Sequence, residues 1–126
     1  MNTPNELKYS RSHEWVRMTG DNTADIGLTD FAQDQLGDLV FVELPEVGDT
    51  VTCGESFANV ESVKAVSDVF SPVTGVVTEV NEELLDNAAL INEDCYGAWL
   101  IRVGEITEVE DLLDAADYDR ACQEEA

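Results

Sequence analysis

Apolar residues in this chain come in short runs rich in β-branched and aromatic types, cut apart by turn-forming clusters. The runs cover 13–18, 23–28, 39–44, 57–62, 65–70, 75–80 and 99–103. Between them stand Thr19-Gly20-Asp21-Asn22, Pro45-Glu46-Val47-Gly48, Cys53-Gly54-Glu55 and Ser71-Pro72-Val73-Thr74-Gly75. Many short strands at this spacing predict a mainly β sandwich or barrel, not a doubly wound sheet. Two segments carry helical signals instead. Thr29 can cap a short helix near 30–36, with Asp30 at its positive end and Gly37 placed to stop it. Thr107-Glu108-Val109-Glu110 has the form of a capping box, and Val109, Leu112, Leu113 and Ala116 fall at helical spacing. They predict a C-terminal amphipathic helix from about residue 108 that packs across the β core. Asp117 is expected to break it before Tyr118, and 123–126 to fray. Val40-Phe41-Val42-Glu43-Leu44 and Val76-Val77-Thr78-Glu79-Val80 echo each other, too faintly to define a repeat.

Length and composition bound the picture. The chain has 126 residues, 44% of them apolar, which suits one globular domain spanning 1–126 with an ordered core of about 6–122. No apolar run approaches the roughly 20 residues that span a bilayer. Residues 1–10 carry neither a signal-peptide core nor an Arg-rich transit pattern, so a cytoplasmic location is expected. The charge is extreme: 28 acidic residues against six basic ones, a formal net charge of -22. Nucleic acid and anionic membrane are poor partners for such a surface. The acidic residues are spread along the chain, a whole-surface property whose self-repulsion salt would relieve. A host with a salty cytoplasm is the expectation. Cys53, Cys95 and Cys122 form no C-x-x-C pair, and one histidine, His13, completes no common zinc set. They read as small buried hydrophobes.

Against that charge, Lys64 stands out as one of two lysines. Residues 57–62 and 65–70 flank Val63-Lys64, so a two-residue turn there joins two antiparallel strands. Neither residue suits the positive φ of a primed turn, which leaves a type I turn. Sequence set against turn propensity suggests a position held for something besides folding. An amine at a hairpin tip is exposed, mobile and not desolvated, so it makes a poor catalytic base. It is well presented for acylation, which would remove its charge and leave a flexible arm on a rigid support.

Several stretches together resemble the glycine cleavage H-protein family over nearly the whole chain. They are Ser12-His13-Glu14-Trp15, residues 26–37, Val40-Phe41-Val42-Glu43-Leu44-Pro45, Val60-Glu61-Ser62-Val63-Lys64-Ala65, Leu90-Ile91-Asn92 and Tyr96-Gly97-Ala98-Trp99-Leu100-Ile101. The resemblance implies a lipoyl/biotinyl-type barrel-sandwich hybrid of two antiparallel sheets related by a pseudo-two-fold axis. It implies lipoate bound covalently to Lys64, with Glu61, Ser62, Val63 and Ala65 recognised by the lipoate-attaching enzyme. It further implies a monomeric carrier that breaks no bonds itself. Its partners would be a pyridoxal-phosphate glycine decarboxylase (P protein), a tetrahydrofolate-dependent aminomethyltransferase (T protein) and dihydrolipoyl dehydrogenase (L protein). By position Ser12, Glu14 and Asp68 match residues implicated in holding the loaded arm, and each carboxylate could accept a charge-assisted hydrogen bond from its amine. The chain departs from the family at Phe31 and Gln35, where histidines are frequent, at Cys95, where proline is common, and at Ala98, where glycine is common.

Three other readings are weighed. A lipoyl or biotinyl domain of another complex, or a lipoyl relay protein, shares the tip. Biotin sites usually read Met-Lys-Met, however, and dehydrogenase lipoyl domains usually place Asp before the lysine. An enzyme using His13 with Glu14, or a cysteine nucleophile, lacks a nucleophile turn, a phosphate loop and a metal set. An unmodified acidic interaction domain predicts that Lys64→Arg is silent.

Overall fold

The computed structural model describes residues 2–125. In chain order the elements are β1 (Lys8–Tyr9), β2 (Glu14–Gly20), β3 (Thr23–Leu28), α1 (Asp30–Leu36), β4 (Leu39–Glu43), β5 (Thr50–Val51) and β6 (Ser56–Ser62). Then come β7 (Val66–Phe70), β8 (Val73–Val80), α2 (Glu83–Asp86), α3 (Leu90–Glu93), β9 (Ile101–Val109) and α4 (Ala115–Glu125). Six strands form one sheet in the order β1-β2-β3-β9-β8-β5, and three form a second in the order β4-β6-β7. Every pairing is antiparallel. This is the mainly β, two-sheet architecture that the turn spacing and the family resemblance predict.

Alternation along the strands supplies the core. In β6, Ala58, Val60 and Ser62 are buried while Glu61 is exposed, as a period of two requires. Val42, Val60 and Val69 of the small sheet join Ile26, Val77, Ile101 and Val103 of the large one in a single buried cluster. Each such side chain contributes about 1.5–3 kcal/mol of burial. A second cluster, built from Leu7, Tyr9, Trp15, Tyr118 and Cys122, fastens α4 to the start of the chain. There Tyr9 and Tyr118 stack with ring centroids 4.7 Å apart. Trp15 lies against Gly27, its cross-strand partner, where an added Cβ would come within 2.5 Å of the indole. The two strands that echo each other in sequence fall in different sheets, as β4 and β8.

The helical signals fared unequally. Thr29 caps α1 as expected, its Oγ1 accepting from the Ala32 N–H at 3.1 Å, and Gly37 ends the helix at φ 82°. The C-terminal helix exists, but it starts at Ala115 and not near 108. Residues 107–109 belong to β9, where Glu108 and Val109 pair with Thr74 and Val73 of β8. Ladder hydrogen bonds to β8 therefore override the local capping box. Leu113 is no helical residue either; it exchanges backbone hydrogen bonds of 2.9 and 2.7 Å with Tyr9. The working cap is Asp114, whose Oδ1 accepts from the Asp117 N–H at 2.8 Å. Asp117 does not break the helix. It sits in the first turn, where the dipole favours an acid. Residues 123–125 stay helical, and Ala126 lies outside the described residues. The short elements β1, β5, α2 and α3 carried no pattern long enough to predict.

Candidate functional site: a lysine tip beside an acid-floored cleft

The hairpin β6–β7 turns at Val63-Lys64, as the flanking runs predict. Glu61 pairs with Val66, and the Ser62 N–H donates to the Ala65 carbonyl at 2.7 Å. The buried Ser62 hydroxyl organises the turn, with its oxygen 3.3 Å from the Lys64 N–H and 3.0 Å from the Ala65 N–H. Among the described residues the only non-glycine positive φ values are at His13 and Glu105, so the tip adopts no primed geometry. The Val63 N–H donates to the Asp38 carbonyl at 3.2 Å, tying the tip to the segment after α1. Lys64 is exposed, and among the described residues it makes no ion pair. Its side chain lies along Gly37: a Cβ there would sit 3.4 Å from the Lys64 Cε.

Gly37 directly follows Leu36, and Leu36 lines a cleft of about 150 Å³. Phe31, Ala32 and Gln35 of α1 form one wall; Ser12, Glu14, Ser67 and Asp68 also border it. The structure thus brings together the three residues singled out from sequence, Ser12, Glu14 and Asp68, in a cleft whose Leu36 immediately precedes the glycine that the lysine stem lies along. Phe31 and Gln35, the two departures from the family pattern, face the same space.

Glu14 is not surface charge. It is 1% exposed, unlike Ser12 and Asp68 at the rim. One carboxylate oxygen accepts from the Ser10 and Ser12 hydroxyls at 2.6 and 2.5 Å, and the other from the Phe70 N–H at 3.2 Å. Burial disfavours the charged form and pushes its pKa up to about 7, although the three hydrogen bonds pull the other way. A buried carboxyl poised near neutrality at the floor of a cleft can pair with an incoming cation or hold a proton.

Comparison with known proteins decides the family. The family model described as "Glycine cleavage H-protein" matches residues 7–125. The chain belongs to the glycine cleavage H-protein family. Its function is that of the lipoyl-carrying component of the glycine cleavage system. Among its relatives, the glycine cleavage system H protein of Lachnoclostridium phytofermentans is 55% identical over 94% of both chains. That of Halalkalibacterium halodurans is 55% identical over 98% of both. The crystal structure of the H protein from Mycobacterium marinum superposes with a TM-score of 0.89 at 44% identity, over 98% of this chain and 99% of that one.

Sequence reasoning missed two participants. Ser10 shares Glu14 with Ser12, and Gly37 provides the bed for the lysine stem. The serines at 10 and 12 preceding an acid at 14 were a local signal for the first. The second depends on segments distant in the chain. His13 lines the cleft and packs on Phe31.

Proposed function

We propose that Lys64 carries the lipoyl group and that the cleft beside it is the resting place of the loaded arm. The observation that carries this reading is the exposed Lys64 amine, without an ion pair among the described residues, laid along Gly37 next to a cleft floored by Glu14. Lys64 would hold the lipoyl group through an amide, and the group would supply a disulfide able to accept an aminomethyl unit at the P protein, yield it to the T protein and be restored by the L protein. The chain's own residues do not catalyse; they present and shelter. Ser62 fixes the turn so that the Lys64 amine projects to the attaching enzyme, which reads Glu61, Val63 and Ala65 around it. Phe31 and Leu36 exclude water from the cleft. Glu14 and Asp68 accept hydrogen bonds from a cationic amine, and Ser12 keeps Glu14 aimed at it.

We also propose a cytoplasmic monomer, and the net charge of -22 supports a salt-rich host. Among the described residues no helix is long and apolar enough to cross a membrane. The test is the intact mass of protein isolated from its own cells, followed by sequencing of the modified peptide. One added lipoyl group at Lys64 and none at Lys8 is the expected result. An unmodified Lys64 in cells actively cleaving glycine overturns the assignment. Lys64→Arg should abolish glycine cleavage with the fold unchanged, because a guanidinium is not acylated in this way. Full activity of that variant would leave an acidic binding module.

A further inference from the structure

His13 is held in a conformation that only its surroundings can justify. Its φ is 76°, in the left-handed region that non-glycine residues avoid, and such strain persists where neighbouring contacts over-determine it. Those contacts are all present. The His13 carbonyl accepts from the N–H of Thr29, the cap of α1, at 3.2 Å. The ring packs on Phe31 with centroids 4.7 Å apart. Nδ1 lies 2.7 Å from the Tyr118 hydroxyl, and Nε2 lies 2.8 Å from a Glu125 carboxylate oxygen. The Tyr118 hydroxyl in turn lies 2.6 Å from the Thr29 Oγ1.

One assignment of protons satisfies every member. The Ala32 N–H donates to Thr29 Oγ1, the Thr29 hydroxyl to Tyr118 Oη, the Tyr118 hydroxyl to His13 Nδ1, and His13 Nε2–H to Glu125. The chain therefore runs in one direction from the first turn of α1, through a neutral imidazole, to the last turn of α4. Burial of the ring favours that neutral form, and burial of the Tyr118 phenol keeps its proton in place. Between Ser12 and Glu14 in sequence, and packed on Phe31 in space, His13 itself lines the cleft.

We propose that His13 is a positioning residue of the cleft: by pinning Tyr118 and Glu125 of α4 to the cap of α1, it makes the C-terminal helix a latch on the wall that shelters the arm. The latch rests on the reading of the cleft as the arm's resting place. It assigns α4, which contributes no residue to the cleft lining, a role in how long the arm stays protected.

Two measurements on the full chain test it. The first is amide hydrogen exchange of α1 in unmodified protein. The second is the rate of ammonia release from aminomethyl-loaded protein without partner enzymes. Tyr118→Phe keeps the ring stacked on Tyr9 and removes the bridging hydroxyl. Glu125→Ala removes only the exposed partner of Nε2, so it tests the latch even if the first variant folds poorly. Each should speed exchange at 31–36 and ammonia release by about five- to tenfold, the factor that one or two lost hydrogen bonds imply. Glu125→Gln, which keeps an acceptor for Nε2–H, should restore both rates. Unchanged α1 exchange in both variants overturns the latch. So does faster exchange with unchanged ammonia release, if Ser12→Ala still accelerates that release. If Ser12→Ala has no effect on the release, the arm-sheltering reading itself has failed, and the latch with it.

Discussion

Replacing Glu14 by glutamine should change how stability depends on pH, with a sign and size set by the burial of that carboxyl. Below about pH 4.5, its ordinary value, the group is protonated in both the folded and the unfolded chain. Between 4.5 and about 7 the folded chain retains a proton that the unfolded chain has lost, so stability falls as pH rises. Above 7 the whole cost of a buried carboxylate is present, about 3 kcal/mol at about 1.4 kcal/mol per pH unit. Glutamine carries no such cost. Its oxygen can still accept from Ser10 and Ser12, but its amide meets the Phe70 N–H donor to donor, a constant penalty of about 1–3 kcal/mol. Urea unfolding of both proteins at fixed high salt, from pH 4.5 to 8.5, isolates the difference. The wild type should lose about 3 kcal/mol relative to Glu14→Gln across that range, roughly 10 °C in Tm. The surface carboxylates, common to both, cancel. A stability difference constant to within about 0.5 kcal/mol would show that Glu14 titrates as an ordinary acid, and the account of the cleft floor would be wrong. The same carboxyl bears on the arm: an ammonium docked against Glu14 favours its ionised form, so arm retention should strengthen as pH rises through 7.

Other consequences are simpler. Gly27→Ala places a methyl within 2.5 Å of the Trp15 indole, so Trp15 must shift; thermal unfolding should show a loss of about 2 kcal/mol or more. Asp114→Ala removes the cap of α4 and should cost about 1 kcal/mol, whereas Thr107→Ala, in an exposed part of β9, should leave the helix unaffected by circular dichroism. Melting across a KCl series should rise steeply toward 1 M, where the screening length falls to about 3 Å; a Tm that stays flat or falls refutes the salt-adapted reading of the -22 charge.

How much could be read without the fold varied from element to element. β3 matches its predicted run at both ends, and α1 begins at the threonine and stops at the glycine that its sequence marks. The tip at Lys64 follows from two flanking strands and a turn too short to admit another geometry. These features are legible because their causes are local: alternation, a capping side chain, a residue that tolerates positive φ. The two lysines among so many acids made Lys64 conspicuous by composition alone.

The sequence by itself therefore determined most of the longer strands, the first helix and the hairpin tip that presents Lys64. Tertiary structure decided where the last helix begins, which acids are buried and what lines the cleft. Thr107-Glu108-Val109-Glu110 is a sound capping box, yet β8 offers those residues paired backbone hydrogen bonds, and the ladder wins. Glu14 reads as one of 28 acids until Phe70 and two serines close over it. His13 looks like a strand residue beside Trp15 until Tyr118, 105 positions later, comes to hydrogen-bond its ring. Burial and hydrogen-bond partnership are set by residues distant in the chain, so no local pattern of types can encode them. Where the cause lies within a few residues the sequence suffices, and where it lies across the fold only the packed molecule decides.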